Sequence, residues 1–380
     1  MTLFAGISLL VWMYLLSARG GFWLMRERDD SDEPSPVCGN WPSVVAVVPA
    51  RDEADVIAQT VGSLLAQDYA GQLRIILVDD RSTDGTAEAV RRAIPGLAPG
   101  RLEIITGLER PAGWTGKVWA MRQGVARALQ TNAPDYLLFT DADIAHTPDN
   151  VRKLVLRGEA GSLVLVSLMA RLHCQSFAEK LLIPAFVFFF DMLFPFAWSN
   201  DPSRKTAAAA GGCMLVRRDV LQAAGGLDMI ARAIIDDCAL AQVMKGRGPI
   251  WLGLTKRAVS VRPYDGMGEI GRMVARSAYA QLGYSPVILG GTVLGMLLVY
   301  AAPIFLAVFA AGPARILGAA AWLLMALAYQ PMLRFYRQSP FWGLLLPVTG
   351  ACYTVFTMNS AIQHWRGRGG MWKGRAQAMA

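Results

Sequence analysis

Apolar residues are concentrated at the two ends of the chain, whereas the middle alternates short apolar runs with amphipathic segments. Residues 1–24 are mostly apolar, with Arg19 near their end. Residues 286–362 are also mostly apolar and contain two breaks, at Gly312-Pro313 and Ser339-Pro340. The breaks leave three apolar segments, at Val287–Ala310, Ile316–Met332 and Phe341–Ile362. Each approaches the roughly 20 residues that a helix needs to cross the hydrocarbon core of a bilayer. The pattern predicts transmembrane helices at both ends of the chain.

The middle of the chain shows the alternation expected of an α/β domain. Predicted strands cover Ser43–Val48, Leu73–Val78, Leu102–Ile105 and Tyr136–Thr140, and predicted helices cover Glu53–Gln67, Thr86–Ile94 and Lys117–Leu129. Continuous Val/Ile/Leu strands separated by helices are typical of a mostly parallel sheet covered on both faces. We therefore expect an α/β domain over residues 43–265, then an amphipathic connector at 266–285, and a basic tail at 363–380 after the last apolar segment.

One apolar stretch, residues 177–198, lies inside the predicted α/β domain. It contains Asp191 and two prolines, Pro184 and Pro195. We interpret this stretch as an element of the membrane interface, near the place where a lipid acceptor would enter. An ordinary buried helix of the core is the alternative interpretation.

The distribution of basic residues indicates how the chain is oriented. Arg19, Arg26 and Arg28 follow the first apolar segment, which is typical of a retained anchor with a cytoplasmic C-terminal side and not of a signal peptide. One anchor and three later spans would place the tail outside, yet the tail carries Arg366, Arg368, Lys373 and Arg375. We therefore expect one apolar segment to be interfacial or re-entrant. The protein is predicted to be multi-pass in the inner (cytoplasmic) membrane, with its α/β domain in the cytoplasm.

Composition excludes several other classes of protein. The chain is 54% hydrophobic and 17% charged, and its net charge is +8. The basic residues flank the apolar segments, as expected beside anionic lipid head groups, and no basic stripe with interleaved stacking aromatics predicts nucleic-acid binding. Five scattered cysteines without a C-x-x-C pair predict neither a zinc site nor a disulfide framework. The three histidines, His146, His173 and His364, show no metal-ligand spacing, and each is expected to be structural or exposed to solvent.

Polar clusters follow three of the predicted strands, at the edge where parallel sheets bind ligands. They are Arg51-Asp52-Glu53, Asp79-Asp80 and Asp141-Ala142-Asp143. The carboxylates of Asp141 and Asp143 are hard oxygen ligands suited to Mg²⁺ or Mn²⁺, which commonly joins one or two carboxylates to substrate phosphates. Such a metal would neutralise charge on a departing nucleoside diphosphate. A D-x-D sequence alone usually marks a solvated turn, but this one follows a buried strand.

Two further groups are candidates for the same chemistry. Lys117 opens a predicted helix after a glycine-containing turn, a suitable place to meet phosphate, with a solvent-facing lysine as the alternative. Asp236 and Asp237 precede a helical run, and a carboxylate there could take the proton from an attacking hydroxyl. Helix N-termini also attract Asp for purely electrostatic reasons. No G-x-G-x-x-G follows a strand, and Pro111 and Val118 stand where a P-loop requires other residues, so neither dinucleotide binding nor a Walker-type ATPase is expected.

Taken in order over residues 43–265, these motifs resemble the family 2 glycosyltransferases, which share the Rossmann-like GT-A fold. The segments that carry the resemblance are Val47–Glu53, with Asp52 where Asn is usual, Val78–Thr86, Gly116-Lys117, Asp141-Ala142-Asp143 and Asp236-Asp237. The resemblance implies nucleotide-sugar binding by Arg51, Glu53, Asp79, Asp80, Lys117 and Asp141, metal binding by Asp141 and Asp143, and Asp237 as the catalytic base. It places Gly212, Asp236, Arg272 and Arg276 on the acceptor or diphosphate side, although residues 272–281 lack the Q-x-x-R-W sequence of many members.

Within that family the chain most resembles the hopanoid-associated glycosyltransferases. The resemblance extends over nearly the whole chain through Gly113–Lys117, Ser167–Arg171, Leu182–Phe190 and Arg276–Leu282. It implies a polycyclic triterpenoid acceptor. The expected function is that of an inverting transferase that uses Mg²⁺ or Mn²⁺ to move a sugar from a UDP donor to a lipid hydroxyl. A processive polysaccharide synthase and a catalytically silent membrane scaffold are the alternatives.

Overall fold

The computed structural model describes residues 1–30, 39–94, 96, 99–372 and 375–376, so that Lys373 of the predicted basic tail lies outside the described residues. The chain forms two compact units. The helical unit consists of residues 1–26, 173–197 and 263–371. The sheet unit consists of residues 27–172, 198–262 and the described residues from 372 onward.

The strands of the described residues are β1 Val44–Ala50, β2 Leu73–Asp79, β3 Leu102–Thr106, β4 Tyr136–Thr140, β5 Ile144–His146, β6 Leu165–Arg171, β7 Cys213–Arg217, β8 Ile250–Ser260, β9 Met371–Trp372 and β10 Arg375–Ala376. The first eight form one sheet in the order β3-β2-β1-β4-β7-β6-β8-β5. Pairs β1–β2, β2–β3, β1–β4 and β6–β8 are parallel. Pairs β4–β7, β6–β7 and β5–β8 are antiparallel. The predicted α/β class is confirmed, and the sheet is mixed.

The α-helices are α1 Thr2–Ala18, α2 Ile57–Leu65, α3 Thr86–Ala93, α4 Gly116–Thr131, α5 Asn150–Ala160, α6 Phe177–Leu193, α7 Phe196–Asn200, α8 Arg218–Ala223, α9 Asp236–Lys245, α10 Met267–Ala275, α11 Ala278–Gln281, α12 Pro286–Met296, α13 Ala302–Phe309, α14 Gly312–Ala328, α15 Gln330–Phe335 and α16 Leu346–Trp365. Turns of 3₁₀-helix cover Phe22–Leu24, Gly226–Ile230 and Pro340–Leu345, and a π-helical turn, Leu297–Ala301, joins α12 to α13.

Strand β1 shows why the strands of the sheet unit have continuous apolar sequences. All seven of its residues are buried. Val44, Ala46 and Val48 pack into the core on one face, whereas Val45 and Val47 pack into a second core on the other face. Because side chains alternate between the faces of a strand, a strand covered on both faces needs apolar residues at every position.

Two predicted boundaries were wrong in this region. Strand β1 continues through Pro49 to Ala50. The pairing of β1 with β4 ends at Val47, so the missing N–H of Pro49 removes no hydrogen bond to β4. The helix predicted from Glu53 begins only at Ile57, because side chains at the start of α3 and in the loop before it take the preceding backbone donors. The N–H of Glu53 donates to Oγ1 of Thr86, for example, at 2.9 Å.

Apolar helices dominate the helical unit. Among the described residues, three helices are long and apolar enough to cross a membrane, Pro286–Phe309, Gly312–Phe335 and Pro340–Trp365, and α1 is a shorter apolar helix of 17 residues. Large apolar side chains on all of them are exposed, including Leu3, Val287, Phe309 and Phe341. An exposed apolar surface of this extent is typical of a lipid-facing protein.

Polar contacts inside the helical unit use carbonyl groups that irregular turns release. Ser8 and Trp12 of α1 donate from their side chains to the carbonyls of Leu298 and Val299, both at 2.9 Å, where the π-helical turn disturbs the regular ladder. Helix α6 contains Pro184 and belongs to this unit, where the hydroxyl of Tyr353 donates to its Leu182 carbonyl at 2.9 Å. Because Pro184 has no N–H, the carbonyl that it leaves without a helical donor is that of Lys180, so the Tyr353 bond to Leu182 is an additional link between α6 and α16.

Candidate active site

Lys117 joins carboxylates that come from two separate parts of the chain. Helix α4 begins at Gly116, so Lys117 lies in its first turn. The Nζ atom of Lys117 lies 2.6 Å from Oδ1 of Asp141, which directly follows β4, and 3.4 Å from Oδ2 of Asp236, which begins α9. Burial by itself lowers the pKa of Lys117, but the charges of Asp141 and Asp236 outweigh it and raise that pKa above its ordinary value. Lys117 is therefore a fixed cation at neutral pH.

Asp237 is held by two backbone donors beside this cluster. The N–H of Gly211 donates to Oδ2 of Asp237 at 2.8 Å, and the N–H of Cys238 donates to Oδ1 at 2.7 Å. Burial and the charge of Asp236 raise the pKa of Asp237 to about 6, although Lys117 and the two hydrogen bonds act in the opposite direction. A carboxylate with that pKa is mostly ionised at neutral pH. Its pKa is also close enough to neutral pH for the carboxylate to accept a proton during a reaction.

The turn before β7 brings backbone directly against these charged groups. A Cβ at Gly211 would lie 3.0 Å from Nζ of Lys117 and 3.3 Å from Oδ2 of Asp237, so a larger residue at this position would crowd both side chains. The carbonyl of Gly212 accepts a hydrogen bond from the Thr140 hydroxyl at 2.9 Å. Gly212, which the sequence assigned to the acceptor side, therefore lies at the end of β4.

Arg51 and Asp80 form a second group at the same ends of neighbouring strands, since Ala50 of β1 pairs with Asp79 of β2. The Nη1 atom of Arg51 donates to the Asp80 carbonyl at 2.6 Å and lies 3.8 Å from the buried Asp80 carboxylate. Asp79 accepts the Ser82 N–H on Oδ1 at 2.9 Å. These contacts hold the loop after β2 in place and leave the half-buried Asp79 at its start.

Glu53 and Asp143 meet through a residue that the sequence did not indicate. Arg262, just after β8, forms an ion pair with Glu53 through Nη2 and lies 3.5 Å from Oδ2 of Asp143 through Nε. Burial and the neighbouring Asp141 raise the pKa of Asp143 to about 6. No local motif surrounds Arg262. The antiparallel pairing of β5 with β8 places it next to Asp143, and the register of that pairing could not be predicted from the sequence.

Asp141 and Asp143 are the carboxylates that the sequence assigned to a divalent cation, and each lies beside a cationic side chain of the protein, Asp141 beside Lys117 and Asp143 beside Arg262. No cluster of three or more His, Cys, Asp or Glu side chains that could hold a metal occurs in the part of the chain that the structure describes. Mg²⁺ in nucleotide sites, however, commonly takes only one or two carboxylates and completes its shell with phosphate and water. Burial and, after it, the charge of Asp141 raise the pKa of Asp143 although Lys117 acts in the opposite direction, so an added positive charge would stabilise the ionised form of Asp143.

The predicted site residues therefore fall into groups. Lys117, Asp141, Asp236, Asp237 and Gly212 lie together, while Arg51, Asp79 and Asp80, and separately Glu53 and Asp143, form neighbouring groups in the sheet unit. Arg272 and Arg276 belong instead to the helical unit, on and directly after α10, and both are exposed.

Comparisons with known proteins identify what this fold and these motifs are similar to. Residues 45–225 match the family described as glycosyl transferase family 2. An N-acetylglucosaminyltransferase of Rhizobium leguminosarum bv. viciae is 27% identical over 197 residues, which are 50% of this chain and 41% of that protein. An N-acetylglucosaminyltransferase of Bradyrhizobium elkanii is 31% identical over 115 residues, 30% of this chain and 58% of that protein. The chain thus spans about two fifths to three fifths of the length of these relatives.

A solved structure resembles nearly the whole chain. It is the mannosyltransferase PcManGT from Pyrobaculum calidifontis in complex with GDP-Man and Mn²⁺. The match covers 95% of this chain and 99% of that one, with 19% sequence identity and a TM-score of 0.52. At that identity the likeness establishes the fold of the chain.

Proposed function

We propose, from the premise that this chain carries a family 2 glycosyltransferase domain, that it moves a sugar from a nucleoside diphosphate to a hydroxyl group of a membrane lipid. The observation that carries the proposal is the cluster around Lys117. A partly buried cation there joins Asp141 of the D-x-D motif to Asp236, and Asp237 lies beside them.

The reaction proposed is a single displacement with inversion at the sugar. Asp237 accepts the proton of the acceptor hydroxyl while the oxygen of that hydroxyl bonds to the anomeric carbon of the sugar. The bond from the anomeric carbon to the diphosphate oxygen breaks in the same step. Lys117 provides a fixed positive charge for the departing diphosphate, because its charge does not depend on pH in the ordinary range. The two backbone donors hold the Asp237 carboxylate in one orientation throughout.

We assign the divalent cation, Mg²⁺ or Mn²⁺, to Asp141 and Asp143. A bound cation would neutralise developing charge on the diphosphate oxygens. We assign nucleoside binding to Arg51, Asp79 and Asp80. We assign to Glu53 the role of holding Arg262 in position through their ion pair. We propose UDP as the nucleotide and N-acetylglucosamine as the first sugar to test. The names of the rhizobial relatives support that sugar, whereas the GDP-mannose in the solved mannosyltransferase makes GDP the alternative nucleotide.

The acceptor proposed is a lipid, because about two fifths of the chain belongs to an apolar helical unit. The exposed apolar side chains on its helices support a location in lipid. The resemblance of the chain to hopanoid-associated transferases supports a polycyclic triterpenoid bearing a hydroxyl group. We further propose that α6 lies in the membrane interface and that Arg272 and Arg276 meet phosphate or lipid head groups there.

Contacts within the helical unit also support an orientation in the membrane. Tyr279, in α11 just before α12, makes ring contacts with His364 and Trp365 at the end of α16. Ser360 of α16 donates from Oγ to the carbonyl of Ala275 at 2.5 Å. The end of α16 is thus beside the start of α12, so an even number of crossings separates them.

We propose that α12–α13 and α14–α15 cross the membrane and that α16 does not. Helices α13 and α14 form a close hairpin, since a Cβ at Gly318 would lie 2.8 Å from Cβ of Leu306. Helix α16 instead runs along α10 and α11 and belongs to the least apolar of the three candidate spans. Together with the anchor α1, two crossings place the sheet unit and the basic tail on the cytoplasmic side, in agreement with the positive-inside rule.

Labelling of single cysteines with a membrane-impermeant maleimide in spheroplasts tests this orientation, in a background with the native cysteines replaced. A cysteine at Gly369 should be labelled only after permeabilisation, whereas one at Ala311, between α13 and α14, should be labelled in intact spheroplasts. Labelling of residue 369 in intact spheroplasts would show that all three candidate spans cross.

The transferase activity is tested by nucleotide release from a panel of UDP- and GDP-sugars with Mg²⁺ or Mn²⁺ and membrane lipid extract. Lipid-dependent release should disappear in Asp237→Asn. It should persist in Asp68→Asn, a matched loss of a carboxylate whose side chain is 73% exposed. Release that survives in Asp237→Asn would remove Asp237 as the base, and no release from any donor would contradict the transferase itself.

A further inference from the structure

We propose that His146 is a positioning residue of this active site, which holds the end of β4 and the Gly211-Gly212 turn in place through a chain of hydrogen bonds. The inference rests on the proposed transferase site but assigns a role to a residue outside it. His146 ends β5 and is 6% exposed. Its ring touches Thr140 on one side and Asn150 on the other.

The direction of each hydrogen bond in the chain follows from what the neighbouring groups can donate. The Thr140 hydroxyl has one proton, and it donates that proton to the Gly212 carbonyl at 2.9 Å. Nε2 of His146 lies 2.9 Å from the same hydroxyl oxygen and must therefore be the donor to it. Nδ1 is then an acceptor and receives the Asn150 amide N–H at 2.8 Å. His146 is thus neutral, with its proton on Nε2.

The opposite arrangement makes fewer bonds. With the proton on Nδ1, His146 would donate to a rotated Asn150 amide, and Thr140 would donate to Nε2. The Gly212 carbonyl would then lose the Thr140 proton, and the buried amide N–H₂ of Asn150 would face the positions its oxygen now occupies. The first arrangement leaves only Oδ1 of Asn150 without a partner. Because an unmade buried hydrogen bond is costly, the Nε2–H tautomer is favoured.

The bond between Thr140 and Gly212 joins two segments that carry the proposed chemistry. Thr140 directly precedes Asp141, whose carboxylate binds Lys117. Gly212 directly follows Gly211, whose N–H donates to Asp237. A small shift of the Gly212 carbonyl would move the Gly211 N–H, and so one imidazole ring controls the position of two carboxylates.

The surroundings suit a ring that never becomes charged. Thr140, Asn150 and Cys213 around it are all buried, and among the residues that the structure describes no carboxylate forms a hydrogen bond with its ring. Burial lowers the pKa of His146 to about 4. A protonated ring would need to donate from Nδ1 as well, toward the Asn150 amide that now donates to it. The neutral form is therefore maintained across the pH range in which the transferase would work.

Nitrogen NMR of the full chain in detergent, labelled with ¹⁵N-histidine, tests the tautomer directly. The sequence has only three histidines, so His173→Gln and His364→Gln assign the His146 signals by elimination. We expect signals of a neutral ring protonated on Nε2 that do not change between pH 5 and pH 8. A ring protonated on Nδ1, or one that titrates in this range, would overturn the proposal.

Kinetics test the positioning role. His146→Phe and Thr140→Val each should lower kcat about tenfold with little change in KM for the donor, and the double variant should be no worse than the single ones, because both break one chain of bonds. His146→Gln, which can donate to Thr140, should recover part of the activity, and His364→Gln should retain full activity. If the kcat of the double variant fell by the product of the two single losses, the two substitutions would act independently, and the proposed chain of bonds would be contradicted. Thr140→Val is nearly isosteric and keeps the test valid if His146→Phe fails to fold.

The pH profile distinguishes positioning from a general loss of structure. Loss of the Gly211 N–H bond should raise the pKa of Asp237, which Asp236 also raises and Lys117 lowers. The acid limb of kcat/KM should therefore move to higher pH in Thr140→Val. An unchanged acid limb would contradict the proposed path to Asp237. If the wild-type protein released no nucleotide from any donor, the proposed function would fail, while the NMR result would still decide the tautomer.

Discussion

Replacement of Lys117 by Met removes the cation on which the acidic cluster depends. The side chains are similar in length, so the change is mainly one of charge. At 2.6 Å and 3.4 Å the gross attractions of Lys117 to Asp141 and Asp236 are about 6 and 5 kcal/mol at an effective dielectric constant of about 20. Desolvation of the three charges offsets most of this attraction. Removal of one partner of a fully buried pair nevertheless costs about 3–5 kcal/mol.

The expected net effect of Lys117→Met is smaller than that for a fully buried pair. Because the Asp141 side chain is 35% exposed, water partly replaces the lost ammonium group. We expect a loss of about 2–3 kcal/mol, which for a unit of this size lowers the Tm by roughly 5–10 °C. Differential scanning fluorimetry of the full chain in detergent measures it. Lys256→Met, whose lysine side chain is 46% exposed, is the matched control and should change the stability by less than about 0.5 kcal/mol.

The pH dependence of this loss is a stricter test than its size. The pKa of Asp237 is about 6 in the folded protein and about 3.9 in an unfolded chain, so its ionisation disfavours the fold. That unfavourable contribution is absent below about pH 4 and grows as the pH rises through 6. Without Lys117 the pKa of Asp237 is higher still, and the difference between variant and wild type should be larger at pH 8 than at pH 5. A Tm difference that is absent, or the same at both pH values, would refute the structural argument.

Three other perturbations have defined outcomes. Gly124→Ala in α4 should destabilise the sheet unit by about 1–3 kcal/mol, because the added methyl would overlap Val47, whereas Gly62→Ala in α2, with open space around it, should be neutral or stabilising; equal Tm values for the two would contradict the packing. Glu179→Gln should lower the Tm of the helical unit at pH 7 but not at pH 2. Despite burial, backbone donors and a histidine lower the pKa of Glu179 to about 2. The stability that Glu179 contributes above about pH 4.3 is therefore lost as the pH falls toward 2. EDTA should abolish nucleotide-sugar binding in calorimetry, and Mn²⁺ or Mg²⁺ should restore it in the wild type but not in Asp141→Asn; binding that survives chelation would exclude the metal assignment.

Local patterns were sufficient for much of the fold. The predicted strand Tyr136–Thr140 has the observed bounds, and the three predicted helices of the first half of the sheet unit exist with shifted ends. Their patterns depend on the period of side chains along a single element, which the sequence contains in full. The apolar segments at both ends were recognisable for the same reason.

Positions at strand ends were also predictable from order along the chain. Parallel strands present their carboxyl ends at one edge, and this rule alone indicated that Asp79, Asp80 and Asp141 would lie at one edge of the sheet. The rule could not indicate which partner each side chain would choose. It left open whether Asp237 is a catalytic base or only a favourable charge at a helix N-terminus.

Only the tertiary structure decided those partners, because they come from strand order and register. Insertion of β7 between β4 and β6, antiparallel to both, brings Gly211 and Gly212 to Asp237 and Thr140. Arg262 meets Asp143 through the β5–β8 register, whereas His146 meets Thr140, only six residues earlier, because the chain turns back between β4 and β5. Such contacts depend on the folded sheet, so the spacing of the residues along the chain does not predict them. The sequence by itself therefore determined the elements and the chemical groups of this protein, and the three-dimensional packing determined which of those groups act on one another.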